Sequence, residues 1–460
     1  MKNVRSEAPV KPGQKIELNI NGYGYEGEGV GRFRNFTIFV PEVLQGEQAL
    51  IKITEVKKNF ARGTVLRILR PASQRINPAC RIAGLCGGCQ LQHLNYQDQL
   101  NLKQQRVIDA VERIGGLKEV KVHHTLGMSE PWHYRNKVQY PLGVKNVEVV
   151  MGFYRKGTHQ IIAATGNCLL QPELINRIAS VIKEVVEKYH VSIYDEQTGT
   201  GLLRHVLMKY GVRTDEAMIV FITNGEQFLV GAKLARELAG YFPEIKSVMQ
   251  NVNESRSNVI LGPETRLLWG VDAITDYIGN YKFKIAAESF FQVNPVQTEV
   301  LYRKAVEYAG LSGSEAVLDA YCGVGSLTFF IAERAKKVYG IEVVTAAVKN
   351  ATENAEVNEV RNTQFIVGSI ETVLPQLVKG GIEFDVGVVD PPRSGCEEVV
   401  LKSMSQNNIR RIVYVSCNPS TMARDLKILN NLGYKVVEIQ PVDMFPHTYH
   451  VECVARVERR

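Results

Sequence analysis

Polar and apolar side chains alternate at period two along the first part of the chain. Lys15-Ile16-Glu17-Leu18-Asn19-Ile20 is the clearest run, and residues 37–40, 49–53 and 63–69 repeat it. Such alternation places one face of a strand in a core and the other in water. Glycines at 22, 24, 27, 29 and 31 supply the turns and bulges of a tightly curved sheet, so residues 1–70 are expected to form a small β-barrel. The period becomes helical over Gln97–Ile114 and Pro172–Tyr189, with strand-like runs at 206–210 and 218–223, which predicts a central α/β domain over 96–285. Beyond 286, residues 316–321, 338–342, 384–389 and 411–415 are short apolar runs of the kind found in strands buried on both faces. The expected fold class is multidomain, closing with a Rossmann-like α/β domain over 286–460.

Composition narrows the partners. A chain of 460 residues, 45% hydrophobic, has material for two to four cores. Its net charge of +7 is a mild bias toward acidic partners, and residues 1–70 hold most of it, with 12 Lys or Arg against 7 Asp or Glu. Within that segment Arg32, Phe33, Arg34, Lys57, Lys58, Asn59, Phe60 and Arg62 mix cations with aromatics, a surface suited to phosphates and stacked bases, although a solvated barrel face reads the same way. The start, Met1 to Glu7, leads into a polar stretch with no apolar signal segment, and no run has the length of a membrane span. A cytoplasmic protein without a membrane partner is expected.

Eight cysteines in such a chain point to metal or catalysis rather than to disulfides. Cys80, Cys86 and Cys89 form a C-x5-C-x2-C array over 71–95 that ends in a Gly87-Gly88 loop, and Cys168, in the 165–170 segment, is the best candidate for a fourth ligand. Structural zinc with four thiolates usually uses two close pairs, so three clustered thiols plus a distant one favour an iron–sulfur cluster. Zinc and unligated core thiols remain the alternatives.

The clearest chemistry lies after residue 316. Asp319-Ala320-Tyr321-Cys322-Gly323-Val324-Gly325 turns a buried strand into a helix expected to run through Arg334, and Glu342 ends the next strand, 23 positions beyond Asp319. The two glycines let the backbone approach a ligand, while the acid can accept hydrogen bonds from ribose hydroxyls. Thr328 occupies the place of a third glycine, which argues against a dinucleotide and for S-adenosyl-L-methionine. Asp390-Pro391-Pro392-Arg393 closes a further strand, so Asp390 should face the donor and a target base. Enzymes that methylate amino groups usually carry an aromatic residue after the two prolines; Arg393 implies different chemistry. The next strand delivers Cys417 to the same edge. Cys322, Cys396 and Cys453 read as small core residues. A thiol beside a methyl donor suits methylation of pyrimidine carbon 5, because that carbon becomes nucleophilic once a thiolate adds to carbon 6. Removal of the carbon-5 proton then needs a base; Glu452 is the candidate, although a glutamate so near the C-terminus also reads as a surface charge, and its role rests on the family pattern described next.

Taken together, Phe290-Phe291-Gln292-Val293-Asn294, Asp319–Ser326, Asp390–Arg393, Ser416-Cys417-Asn418-Pro419, His447–Glu452 and the cysteine array resemble, in order, the bacterial uracil-5-methyltransferases of 23S rRNA, from about residue 12 to the end. The barrel resembles the TRAM domain, an OB-like RNA-binding module. The resemblance implies cofactor contacts from Gln292, Tyr321, Glu342 and Asp390, a nucleophile at Cys417, a base at Glu452, and a [4Fe-4S] cluster on Cys80, Cys86, Cys89 and Cys168. It also marks Trp132–Lys137 as a signature in which Arg135 and Lys137 handle substrate, and it implies 23S rRNA as the partner of a monomer with no obligate protein partner. The cysteines and barrel favour the ribosomal branch over the tRNA branch, whose proteobacterial enzyme is shorter and lacks both. The rivals are 5-methyluridine formation in tRNA, a cytosine-5 enzyme, whose usual Pro-Cys run is not evident, and a non-catalytic RNA-binding protein.

Overall fold

The computed structural model describes residues 8–163 and 166–460, so the Met1–Glu7 stretch and Thr165 of the expected fourth-ligand segment lie outside the described residues. The chain divides into two compact units: residues up to 106 with 445–449, and residues 107–444 with 450–460.

The first unit opens with strands β1 (Lys15–Tyr23), β2 (Gly29–Phe33), β3 (Phe36–Val40), β4 (Gln48–Val56) and β5 (Phe60–Arg70), closed into a barrel in the order β1-β2-β3-β5-β4. Ile16, Leu18 and Ile20 point inward and Lys15, Glu17 and Asn19 outward, as the alternation requires. Burying each such aliphatic side chain contributes about 1.5–3 kcal/mol. Strand β2 escaped the pattern because glycine occupies its inward positions. A Cβ on Gly31 would collide with the Asn19 carbonyl oxygen, and one on Gly29 with Val43.

An irregular segment then carries Cys80, Cys86 and Cys89 to helix α1 (Tyr96–Arg113), capped by Asn95, whose Oδ1 accepts the Asp98 N–H at 3.0 Å. The first turns of α1 hold residues 445–449. The Gln99 amide donates to the Leu91 and Leu94 carbonyls and accepts the His447 N–H, and fully buried Lys103 donates to the Phe445 carbonyl at 3.0 Å. The His447 carbonyl in turn accepts the N–H groups of Gln90 and Leu91, the two residues after Cys89.

The second unit contains a short β6 (Lys121–Val122) and a mixed sheet of β7 (Lys137–Lys145), β8 (Glu148–Tyr154), β9 (Ile161–Ala163), β10 (Leu203–Gly211), β11 (Glu216–Thr223), β12 (Ile245–Val252) and β13 (Glu264–Gly270), in the order β13-β12-β11-β10-β7-β8-β9. Helices α2 (Glu173–Lys188) and α3 (Gly231–Tyr241) share a core with it through Ile178, Ile182, Phe221 and Leu234. The predicted helices at 97–114 and 172–189 match α1 and α2 to within a residue at each end. A hairpin, β14 (Ile274–Ile278) and β15 (Tyr281–Ile285), leads onward.

Next come α4 (Pro295–Ala309), β16 (Ala316–Ala320), α5 (Ser326–Ala332), β17 (Lys337–Glu342), α6 (Thr345–Val357), β18 (Thr363–Val367), α7 (Ile370–Lys379), β19 (Val386–Val389), α8 (Glu398–Gln406), β20 (Arg411–Ser416), α9 (Pro419–Asn431), β21 (Tyr434–Val442) and β22 (Glu452–Arg459). Their sheet runs β18-β17-β16-β19-β20-β22-β21-β6. Pairing is parallel from β18 to β20, and β22 inserts antiparallel. Helix α5 ends at Ala332, short of the expected Arg334. No described helix is long and apolar enough to cross a membrane.

Candidate active site

The strand order decides where a ligand can sit. The chain steps outward from β16 to β17 and β18, then returns to β19 on the other flank of β16, so a crevice opens between the carboxyl ends of β16 and β19. Asp319 and Tyr321 stand at one side of it and Asp390 at the other. Tyr321 is held in the left-handed region at φ 67°, and Gly323 and Gly325 follow at 54° and 83°. A Cβ on Gly323 would point into open space, which is room for a ligand against bare backbone. The Glu342 carboxylate accepts the N–H of Gly323 at 3.2 Å and of Val344 at 2.9 Å, so the same acid that ends β17 also fastens the glycine turn.

Three carboxyl groups converge here. Asp319 is 1% exposed; one oxygen accepts the Thr328 hydroxyl at 2.5 Å, and the other has no partner. Burial, then the neighbouring Asp390 and Glu342, push its pKa up to about 7, and burial raises Asp390 to about 6. A crevice with an orphaned carboxyl oxygen and mutually opposed acids is built for a cation with hydrogen-bond donors. That chemistry fits S-adenosylmethionine, with its sulfonium, ammonium and ribose hydroxyls.

Gln292 lies in the segment between β15 and α4. The Asn136 amide donates to its main-chain carbonyl at 3.0 Å, and its side chain hydrogen-bonds the Tyr302 hydroxyl, which also meets Ser326 Oγ at 2.9 Å. Tyr302 and Ser326 link α4 to the glycine turn. Sequence reasoning missed both, because a buried tyrosine and a helix-start serine carry no pattern of their own.

Cys417 and Glu452 come from neighbouring strands. Ser416 pairs with Cys453 across β20 and β22, so the residue after the first and the residue before the second emerge at one sheet edge. Cys417 is half-buried; burial first, then Glu452 and Asp390, push its thiol up to about 11, while Arg393 pulls it down. Glu452 is 8% exposed and is raised to about 8 by burial and then by Asp390, against Arg393. Arg393 is thus the cation that both groups feel. Its loop is tied to α9: Asn418 and Thr421 donate to the Arg393 carbonyl at 3.2 and 3.3 Å, and buried Asp425 accepts the Cys396 N–H at 2.8 Å and the Tyr414 hydroxyl at 2.6 Å. Cys322, Cys396 and Cys453 are buried, as expected of core residues.

Comparison with known proteins gives this geometry a family. Residues 273–460 match the family described as tRNA (uracil-5-)-methyltransferase, and residues 9–66 match the TRAM domain. An RNA methyltransferase from Clostridium tetani, itself described as uncharacterized, is 48% identical over 451 residues and 98% of each chain. One from Oceanobacillus iheyensis is 47% identical over 453 residues, again 98% of each. The chain belongs to the RNA (uracil-5-)-methyltransferase family. The crystal structure of Pyrococcus abyssi tRNA (uracil-54, C5)-methyltransferase in complex with S-adenosyl-L-homocysteine is similar at 28% identity and a TM-score of 0.77, covering 96% of this chain and all of that one. That tRNA enzyme spans the length of this family member, so length alone does not separate ribosomal from tRNA substrates.

The remaining cysteines divide between the units. Cys80, Cys86 and Cys89 are half-buried on the irregular segment of the first, where Gly88 donates its N–H to Cys86 Sγ at 3.3 Å; Cys168 is half-buried in the second, its main chain held on both sides by the Asn176 amide. Among the described residues no group of three or more His, Cys, Asp or Glu side chains is placed to hold a metal ion.

Proposed function

We propose that this protein methylates carbon 5 of uridine in 23S rRNA with S-adenosyl-L-methionine, through a covalent Cys417 adduct at carbon 6 and proton removal by Glu452. The observation that carries the reading is the register of β20 and β22, which brings a thiol and a buried carboxyl to one edge beside Asp390. Gln292, Tyr321, Glu342 and Asp390 hold the methyl donor. When bound, the donor supplies an electrophilic methyl group and a positive charge.

The Cys417 thiol gives its proton to water and the thiolate adds to carbon 6 of the uracil ring, leaving an enolate whose carbon 5 takes the methyl group as its bond to sulfur breaks and S-adenosylhomocysteine departs. Arg393 favours the thiolate; the carboxyls around it oppose it. Carbon 5 then bears both a methyl group and a proton. Glu452, ionised, takes that proton, and the electron pair expels the Cys417 thiolate as the ring double bond re-forms. Its raised pKa makes it a base matched to neutral solution.

The barrel and the central sheet bind the RNA in this reading, with domains at 1–70, 96–285 and 286–460 and a cluster loop at 71–95 in a cytoplasmic monomer. Cys80, Cys86, Cys89 and Cys168 would hold a [4Fe-4S] cluster once their thiols converge on it. Four soft thiol donors and a backbone N–H on one sulfur support that assignment, and no catalytic step runs through it. The tRNA substrate of the Pyrococcus relative supports a second reading, 5-methyluridine formation in tRNA. Nucleoside mass analysis of 23S rRNA and tRNA from a strain lacking the protein separates them. Loss of 5-methyluridine from 23S rRNA is expected. Loss from tRNA alone selects the second reading, and loss from neither overturns both.

A further inference from the structure

Arg393 is fixed at its main chain and free at its tip. Its carbonyl accepts the Asn418 amide at 3.2 Å and the Thr421 hydroxyl at 3.3 Å, which ties its backbone to the residue after Cys417 and to the first turn of α9. The loop beyond it is fastened in the same way. The Arg424 guanidinium donates to the Ser394 and Cys396 carbonyls at 3.0 and 3.2 Å, and buried Asp425 accepts the Cys396 N–H at 2.8 Å. Each of these bonds ends on a main-chain atom of 393–396, whereas the Arg393 side chain is exposed and makes no hydrogen bond or ion pair with any described residue. A merely solvated arginine needs no such scaffold. The charges around it are unbalanced: Glu452, Asp390 and Arg393 act on Cys417, and Asp390 and Arg393 act on Glu452, so one cation serves two positions otherwise surrounded by acids. Addition of a thiolate to carbon 6 brings more negative charge there. As the sulfur–carbon bond forms, the pair of the ring double bond moves to lie between carbons 5 and 4, and the carbonyl pair moves onto oxygen 4. That oxygen needs a hydrogen-bond donor, which an ionised carboxylate cannot be.

We propose that the Arg393 guanidinium donates to oxygen 4 of the target uracil and stabilises the enolate that forms when Cys417 adds. The proposal rests on the uracil-methylating reading and makes Arg393 a catalytic residue, held by its main-chain bonds to α9 where charge will develop. The guanidinium keeps its protons throughout. When carbon 5 takes the methyl group, the pair on oxygen 4 returns to re-form the carbonyl. Cytosine presents an amino group at the same place, a donor facing a donor, so the contact also selects uracil.

The test compares full-length wild type, Arg393→Gln and Arg393→Lys in single-turnover methylation of a synthetic RNA stem-loop that carries one uridine, or one 4-thiouridine, unpaired in its loop. All three proteins should melt alike, because no bond of the 393–396 loop passes through this side chain. Arg393→Gln should slow 5-methyluridine formation about a hundredfold, the worth of one oxyanion donor. Arg393→Lys should recover about tenfold of that loss by restoring a charged donor. RNA affinity by fluorescence anisotropy and S-adenosylhomocysteine affinity by calorimetry should stay at wild-type values. Sulfur on carbon 4 is a poorer acceptor than oxygen, so the ratio of rates on uridine and 4-thiouridine should fall about tenfold from wild type to Arg393→Gln, a comparison in which the intrinsic reactivities of the two bases cancel. An unchanged ratio would overturn the proposal; joined to a slower rate, it would confine Arg393 to the Cys417 thiol. Weaker RNA binding with an undiminished rate would overturn it as well, by assigning the guanidinium to a backbone phosphate. A wild type that binds this RNA and S-adenosylhomocysteine yet methylates no uridine faults the function itself, and the proposal falls with it.

Discussion

The side-chain amide of Asn418 donates to the main-chain carbonyl of Arg393 at 3.2 Å, tying the residue after the proposed nucleophile to the loop that follows Asp390. Asn418 also caps α9, its Oδ1 accepting the Ser420 N–H at 3.1 Å. Asn418→Asp separates the two roles, because it keeps the capping oxygen and turns the donor into an acceptor that repels the carbonyl. Stability should stay within about 1 kcal/mol of wild type, while turnover falls about tenfold as Arg393 loses its place. Alkylation of Cys417 by iodoacetamide, followed against pH with Cys417→Ala as the blank, should shift to higher pH. Unchanged turnover would show that the loop holds without this bond.

The proposed adduct can be trapped. RNA carrying 5-fluorouridine at the target should form a stable covalent complex, since fluorine cannot leave as a proton does. Cys417→Ala should form none and make no 5-methyluridine. Glu452→Gln should attach to ordinary RNA and transfer the methyl group, then release product slowly, because only proton removal is impaired. Denaturing gels and nucleoside mass analysis read both outcomes. Near wild-type methylation by Cys417→Ala would rule out the covalent route.

The elements legible in the sequence were those whose burial is one-sided or complete. β1 announces itself through Ile16, Leu18 and Ile20, and α2 through Ile175, Ile178, Ile182 and Val186. β2 did not, because Gly29 and Gly31 are small where a neighbour comes close. At the site, Asp319, Glu342, Asp390 and Cys417 sit at strand ends and could be read from motif order. The fastenings could not. Asn136, Tyr302, Asn418 and Asp425 act across long sequence separations, and a single polar residue in an apolar run does not say what it bonds. Glu452 is intermediate: its place depends on β22 entering antiparallel beside β20, which no local pattern specifies.

The cysteine assignment predicts colour. Protein purified without oxygen should be brown and contain iron and sulfide, because thiolate-to-iron charge transfer absorbs visible light and zinc thiolates do not. Cys86→Ser removes the sulfur that Gly88 supports, and it should cost iron content and solubility before it costs chemistry. Colourless, fully active protein with one zinc per chain would replace the cluster with a structural zinc.

Glu452 should make stability fall as pH rises. Its carboxyl is held up at about 8 in the folded protein, against 4.5 for the unperturbed group. Between these values the unfolded chain has released the proton and the folded one retains it, so each pH unit removes up to about 1.4 kcal/mol of folding free energy. The loss begins near pH 4.5 and is complete above about pH 8. Glu452→Gln cannot ionise in either state. It should melt close to wild type at pH 5, above it at pH 7, and furthest above it at pH 8 and beyond. Paired thermal melts of the two proteins across that range isolate the contribution, since every other titrating group is shared. The turnover of wild type should rise over the same window, because the ionised form that weakens the fold is the form that accepts the proton. A gap that stayed flat with pH would mean that Glu452 is already ionised in the resting protein.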